Sequence, residues 1–223
     1  MLEASSTEPG TDRNESNQDW HFWYQQPTTI KFRHCLPAPL QKRLQAIRHP
    51  GNQARTCAGW WLLQSVLPRE FQNLTALQRT TQGKPYLLNG PAFNLSHSGR
   101  MIGCVLDSYT EASVGIDIEQ HDRLDWYRLR HYLQLDYPAE TTFSQKTVYN
   151  RWTQREAVVK ATGMGISQLK SVRQTAVSQS GQAVIHPTHE PWYYRSLETQ
   201  PGYSMSVAAS RPLSLTLHYI DLL

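Results

Sequence analysis

The sequence predicts a chain of mixed helix and strand, folded as one domain or as two small ones sharing a core. Thr147 to Thr162 keeps helical spacing throughout and stops at Gly163, a residue suited to a helix C-terminus. Ser113 to Glu119 instead alternates apolar and polar residues, the period of a strand. Beyond the helix the chain breaks into short β-rich runs separated by turn residues.

Taken in order, residues 1–19 lack apolar periodicity and are expected to form a flexible leader. Structure is expected from about Trp20, where Trp20, Phe22, Trp23 and Tyr24 suggest a strand or a packed entry segment. Leu36 to Arg48 opens with prolines and continues as a basic amphipathic turn or two. Gln53 to Val66 sets Ala54, Cys57, Trp61, Leu62, Ser65 and Val66 on one helical face and ends at Pro68. Gly83 to Leu88 reads as a turn entering a short strand, and Phe93 to Leu106 as hairpin strands around a Ser-Gly turn. Gln120 to Lys146 is expected to be mostly helical. The closing strands are Ser171–Ser178, Gln182–His186, Trp192–Leu197, Ser204–Ala209 and Leu213–Ile220.

Composition narrows the function classes. No apolar run reaches the ~18–20 residues that span a bilayer, and Met1 to Asp19 lacks the apolar centre of a signal peptide, so a cytoplasmic protein is expected. Cys35, Cys57 and Cys104 are far apart and form no Cys-x-x-Cys unit, so they are expected to be core fillers or free thiols. A formal charge of +4 is too small to mark a nucleic-acid binder, but it favours anionic partners, both phosphorylated ligands and acidic proteins. Phosphate-loop, dinucleotide and nucleophile-elbow motifs are absent from the sequence. His186 and His189 flank Pro187 and give no metal-ligand spacing.

Three motifs carry possible chemistry. Asp117-Ile118-Glu119 projects two carboxylates from one strand face while Ile116 and Ile118 point the other way. Acids this close repel unless a cation or a proton lies between them, and oxygen ligands suit Mg²⁺; a solvated edge strand is the alternative. Trp152, Glu156 and Lys160 share one stripe of the helix. They form either an exposed ion pair above a core tryptophan or a third carboxylate and a cation beside the strand pair. Asn94 to Gly99 places small polar groups and His97 in a tight turn, which either satisfies itself or offers donors to a phosphate.

Gly83-Lys84-Pro85, Phe93 to Ser98, Val114 to Glu119 and Trp152 to Lys160, in that order, closely resemble the signature series of Sfp-type 4′-phosphopantetheinyl transferases, with the bacterial AcpT-like members nearest. The resemblance runs from about Leu36 to the C-terminus, with Ala54-Arg55-Thr56 matching a coenzyme A-contacting segment and Pro201 to Met205 a late strand. It implies a pseudo-dimeric α+β fold whose two similar halves, residues 20–111 and 112–223, enclose the active site. It also implies transfer of 4′-phosphopantetheine from coenzyme A to a serine of an acyl, polyketide or peptidyl carrier protein, with release of 3′,5′-ADP. No nucleic acid and no membrane span are expected, and the chain is expected to be a monomer.

The resemblance assigns Asp117, Glu119 and Glu156 to Mg²⁺, with Mn²⁺ as an alternative ion. Glu156 is the candidate base for the carrier serine, and Lys160 would neutralise the pyrophosphate. Ser96 and His97 would meet coenzyme A phosphates, Lys84 and Pro85 would lie by the nucleotide, and Arg55 and Thr56 would contact its far end with help from Arg43. Arg155 stands where the family usually has Lys; a phosphate contact there would use a planar fork in place of a point charge. Arg123 and the segment Leu124 to Tyr137, which mixes Trp126, Tyr127, Leu129, Tyr132 and Leu133 with Arg128 and Arg130, would dock an acidic carrier. A core helix with a solvated basic face explains most of the same residues.

Overall fold

The computed structural model describes residues 18–24, 34, 36–122, 124–134, 143–174, 180–185 and 190–219. Expectations for the leader up to residue 17, for Cys35, Arg123, the stretch 135–142, His186 and His189 lie outside the described residues.

The first part of the chain supplies β1 (Gln18–Tyr24), α1 (Ala38–Gln45), α2 (Pro50–Val66), β2 (Leu77–Arg79), β3 (Pro85–Leu87), β4 (Ala92–Ser98) and β5 (Met101–Asp107). The second supplies β6 (Val114–Gln120), α3 (Trp126–Gln134), α4 (Gln145–Thr162) and β7 (Val172–Gln174). Four further strands follow: β8 (Ser180–Ile185), β9 (Pro191–Leu197), β10 (Tyr203–Ala209) and β11 (Leu215–Tyr219). The fold is mixed α+β, as expected. One sheet has the order β11-β1-β5-β4, a second β6-β10-β9-β8-β7, and β2 pairs with β3 as a separate hairpin. Strand β11, late in the chain, lies parallel to β1 and so joins the first sheet.

Helix starts differ from the sequence expectation for local reasons. Helix α2 begins at Pro50, not Gln53, because proline is preorganised for the first helical position and His49 accepts from the Asn52 N–H. Helix α4 begins at Gln145 because Ser144 caps it, accepting from the Thr147 N–H at 3.2 Å. It ends at Gly163 in the left-handed conformation, φ 73°, as the sequence suggests. Strand β2 was not foreseen; its three residues are too few to show a period.

Helix α2 packs on β4 and β5 through Cys57, Trp60, Leu62, Leu63, Phe93 and Ile102. On β6, Ile116 and Ile118 pack with Met101, Val105, Met205 and Val207, so the opposite face of β6 and β10 is left for α4. Cys57 and Cys104 are buried in the core, as expected of core fillers.

Candidate active site

The contact between α4 and β6 sets the site. A Cβ on Gly115 would fall 2.0 Å from the Ala157 carbonyl oxygen and 2.5 Å from the Ala161 nitrogen, so the helix backbone rests directly on this glycine. Only a residue without a side chain permits that approach. Glu156 and Lys160, each one residue before those contacts, are thereby brought beside Asp117, two residues along β6.

The Lys160 ammonium donates to Asp117 Oδ1 at 2.5 Å and to Ser96 Oγ at 3.1 Å, and lies 4.0 Å from Glu156 Oε2. Asp117 is 2% exposed, and its Oδ2 is a buried oxygen without a hydrogen-bond partner. Burial raises the Asp117 pKa, opposed by Lys160 and by the hydrogen bonds from Ser96 and Ile118. Burial also drives Glu156 up to about 8, reinforced by the Asp117 and Glu119 carboxylates and opposed by Lys160. Burial alone would lower Lys160, yet Asp117 and Glu156 outweigh it and its pKa is raised. The surroundings therefore concentrate negative charge that a cation relieves.

Serines on β4 hold the two strand carboxylates. Ser96 Oγ donates to Asp117 Oδ1 at 3.3 Å, and Ser98 Oγ donates to Glu119 Oε2 at 3.1 Å. The expected tight turn at Asn94 to Gly99 is corrected here: Asn94 through Ser98 pair with Val105 through Met101 on β5, and Gly99 and Arg100 alone make the turn. The backbone of this stretch is strand, not turn. Alternation puts His97 on the face of β4 opposite Ser96, where it is exposed.

Beside the acids lies a cleft of about 310 Å³, walled by Gly83, Lys84 and Pro85 on one side and Glu156, Val159 and Lys160 on the other. Lys84 reaches across, its Nζ donating to the Ala161 carbonyl at 2.7 Å and the Val114 carbonyl at 3.1 Å. Burial lowers its pKa to about 8. It thus ties the β2–β3 turn to α4 and β6, while Pro85 forms part of the wall. Arg55 and Thr56 are half-buried on α2, with Arg55 donating to Asn52 Oδ1 one turn earlier. Arg43 is exposed in the last turn of α1. Its charge lowers the pKa of Arg79, after the larger effect of burial, and Arg79 donates to the Gly83 carbonyl at 2.6 Å. Sequence reasoning missed Arg79, because a lone arginine in a three-residue strand carries no signal.

Arg155 is a correction. It is 1% exposed, and its Nε donates to Gln174 Oε1 at 3.4 Å, so its side chain is directed towards β7 and not into the cleft with Glu156 and Lys160. Adjacent helix residues diverge by about 100°, which separates it from Glu156. On α3, Leu129 and Leu133 are core, and Tyr132 meets Trp152 edge-on at 5.9 Å. Tyr127 is 66% exposed, and Arg128 is exposed beside Asp125 at 3.5 Å.

Asp117, Glu119 and Glu156 offer only oxygen donors, and the orphaned Asp117 oxygen and the raised Glu156 pKa both fit a hard divalent cation. Among the described residues, no group of three or more His, Cys, Asp or Glu side chains is arranged to hold a metal ion. The Lys160 ammonium supplies the positive charge in this conformation.

Residues 113–208 match the family model described as the 4′-phosphopantetheinyl transferase superfamily. The chain is 31% identical to a 4′-phosphopantetheinyl transferase of Bacillus subtilis, over 80% of this chain and 84% of the relative. It is 28% identical to 4′-phosphopantetheinyl transferase Sfp of Bacillus subtilis (strain 168), over 82% and 85%. With 4′-phosphopantetheinyl transferase AcpT of Salmonella typhimurium the identity is 34%, over 54% of this chain and 67% of the relative. Among the described residues, no helix is long and apolar enough to cross a membrane.

Proposed function

Because the chain belongs to the 4′-phosphopantetheinyl transferase superfamily, we propose that the cleft beside Asp117, Glu156 and Lys160 binds coenzyme A and a divalent cation. The chain transfers 4′-phosphopantetheine from coenzyme A to a serine of a carrier protein and releases 3′,5′-ADP. The observation that carries the site assignment is the convergence of Glu156 and Lys160, which line this cleft, on the buried Asp117.

Asp117, Glu119 and Glu156 would hold Mg²⁺, or Mn²⁺ in its place. The ion, when bound, supplies Lewis-acid charge to the pyrophosphate oxygens. Pro85 and the Lys84 stem wall the nucleotide. Arg43, Arg55, Thr56 and His97 are the outer phosphate and nucleotide contacts. Ser96 serves the phosphates indirectly, since its hydroxyl is bonded to Lys160 and Asp117.

In the transfer, the carrier serine oxygen bonds to the phosphorus that bears pantetheine. The bond from that phosphorus to the bridging oxygen breaks, and 3′,5′-ADP departs. Glu156, as carboxylate, takes the serine proton directly or through water. Lys160 offsets charge on the pyrophosphate as it separates. Such chemistry demands positioning and charge compensation more than covalent help from the protein. The exposed Tyr127 and Arg128 would form part of the surface that meets an acidic carrier. The pseudo-dimeric division after residue 111 and a cytoplasmic site of action belong to the same reading.

Calorimetric titration of coenzyme A into the chain, with Mg²⁺ and then with a chelator, tests the cleft and its ion together. Binding should tighten with Mg²⁺ and lose that gain in Asp117→Ala. Equal affinity with and without the ion would remove the metal from the assignment.

A further inference from the structure

Strand β4 is the edge of the first sheet and β6 the edge of the second, and the two are not joined as neighbours in either backbone ladder. Side chains bridge them instead. The Ile116 N–H donates to Asn94 Oδ1 at 3.0 Å, the Ile118 N–H to Ser96 Oγ at 3.2 Å and the Gln120 N–H to Ser98 Oγ at 3.0 Å. Residues two apart on β4 thus meet residues two apart on β6, always 22 positions on. Asn94, Ser96 and Ser98 are each less than one-tenth exposed. This comb gives edge amides the partners that a neighbouring strand would otherwise supply.

Two of the three teeth do more. A serine hydroxyl has one proton and two lone pairs. Ser96 accepts from Ile118 N–H and from Lys160 and donates to Asp117; Ser98 accepts from Gln120 N–H and donates to Glu119. Asn94 accepts from β6 but bonds neither carboxylate in this way. We infer that Ser96 and Ser98 are positioning residues that fix the register of β6 against β4 and orient Asp117 and Glu119 towards a divalent cation, while Asn94 fixes register alone. The carboxylate half of this inference rests on the metal reading above; the register half does not. Outer-shell hydrogen bonds to ligating groups typically change metal affinity by about 10–100-fold when removed.

The test uses the full chain, ¹⁵N-labelled, as wild type and as Asn94→Ala, Ser96→Ala, Ser98→Ala and Ser98→Thr. Amide hydrogen exchange is followed without metal, and Mn²⁺ binding is followed by electron paramagnetic resonance. Ser98→Ala should deprotect the Gln120 amide, and Asn94→Ala the Ile116 amide, each without its neighbours. The Mn²⁺ dissociation constant should rise about 10–100-fold in Ser96→Ala and Ser98→Ala, recover in Ser98→Thr, and stay within about threefold of wild type in Asn94→Ala. Equal Mn²⁺ affinity in Ser98→Ala and Asn94→Ala overturns the orienting role, because a purely structural comb would weaken both alike. If the wild type takes up no Mn²⁺, the metal reading and the orienting role fall together, and amide exchange decides the register role alone. Unchanged Gln120 protection in Ser98→Ala overturns that role whatever the metal does.

Discussion

Lys160 Nζ stands 2.5 Å from Asp117 Oδ1, joining the last turns of α4 to the middle of β6 through an ion pair whose acid is almost wholly buried. Removing the ammonium leaves that acid without its cation. Lys160→Met should destabilise the ion-free chain at pH 7 by up to about 3 kcal/mol. The native Asp117 pKa, already raised by burial in the wild type, would then rise further above its unfolded value. Native protein keeps a proton that unfolded protein has lost, so stability falls as pH rises above the unfolded value of 3.8. Urea unfolding at pH 5 and pH 7 should show the smaller loss at pH 5; an equal loss at both would count against a charged Asp117.

Glu156, raised to about 8 by burial and then by Asp117, holds a proton at pH 7 when no divalent ion is bound. Between the unfolded value of 4.5 and about 8, the native state binds the extra proton, so Glu156 makes stability decline with rising pH across that window. Glu156→Gln should flatten the slope. Mg²⁺ must displace this proton, so calorimetry at pH 7 in buffers of different ionisation enthalpy should detect its release, with little release at pH 9. Buffer-independent heats at pH 7 would contradict the proton assignment.

Gly115→Ala should push α4 away from β6, because the new Cβ meets helix backbone that has no rotamer to change. Overpacking of this kind costs about 1–3 kcal/mol or more. Thermal unfolding should show a lower midpoint, and transfer activity should fall more steeply than stability because Glu156 and Lys160 move with the helix. Wild-type activity in a destabilised Gly115→Ala would uncouple that contact from the site.

The acids were legible in the sequence because strand alternation is a local property: Asp117 and Glu119 had to share a face, and Glu156 and Lys160 a helical stripe. That these two faces meet depends on Gly115 and on the partner strand β10, neither of which announces itself locally. Helix α4 is buried on several sides, with Thr153 bonded to Ser206 at 2.8 Å and Gln154 to Ser196 at 2.9 Å. Its polar pattern is therefore an interior network, which is why Arg155 looks like a phosphate contact in sequence and is a core residue in space. Ser98 and Asn94 read as turn residues because small polar side chains favour turns, yet here they serve an edge between sheets. Lys84 and Arg79 could not be told from solvated lysines and arginines, since their carbonyl partners include residues far along the chain or in the turn itself.

Lys84→Met should leave the Val114 and Ala161 carbonyls short of a donor and cost about 1–3 kcal/mol. The pH dependence has the opposite sign to that of Glu156. With a native pKa of about 8 against 10.5 unfolded, native protein loses the Lys84 proton first, so wild type should gain stability as pH rises through that interval. Lys84→Met should lack the gain. Parallel stability profiles from pH 8 to 10 in the two proteins would show that burial does not depress this lysine.

The most direct measurement incubates the chain with coenzyme A, Mg²⁺ and apo carrier proteins of the fatty-acid, polyketide and peptide-synthetase types. Intact-mass spectrometry follows the carrier while released 3′,5′-ADP is quantified. A carrier should gain one phosphopantetheine for each 3′,5′-ADP released. That product should disappear on chelation and in Asp117→Ala and Glu156→Ala. Release of 3′,5′-ADP together with free 4′-phosphopantetheine, with no mass gain on any carrier, would contradict the transfer and make the chain a hydrolase.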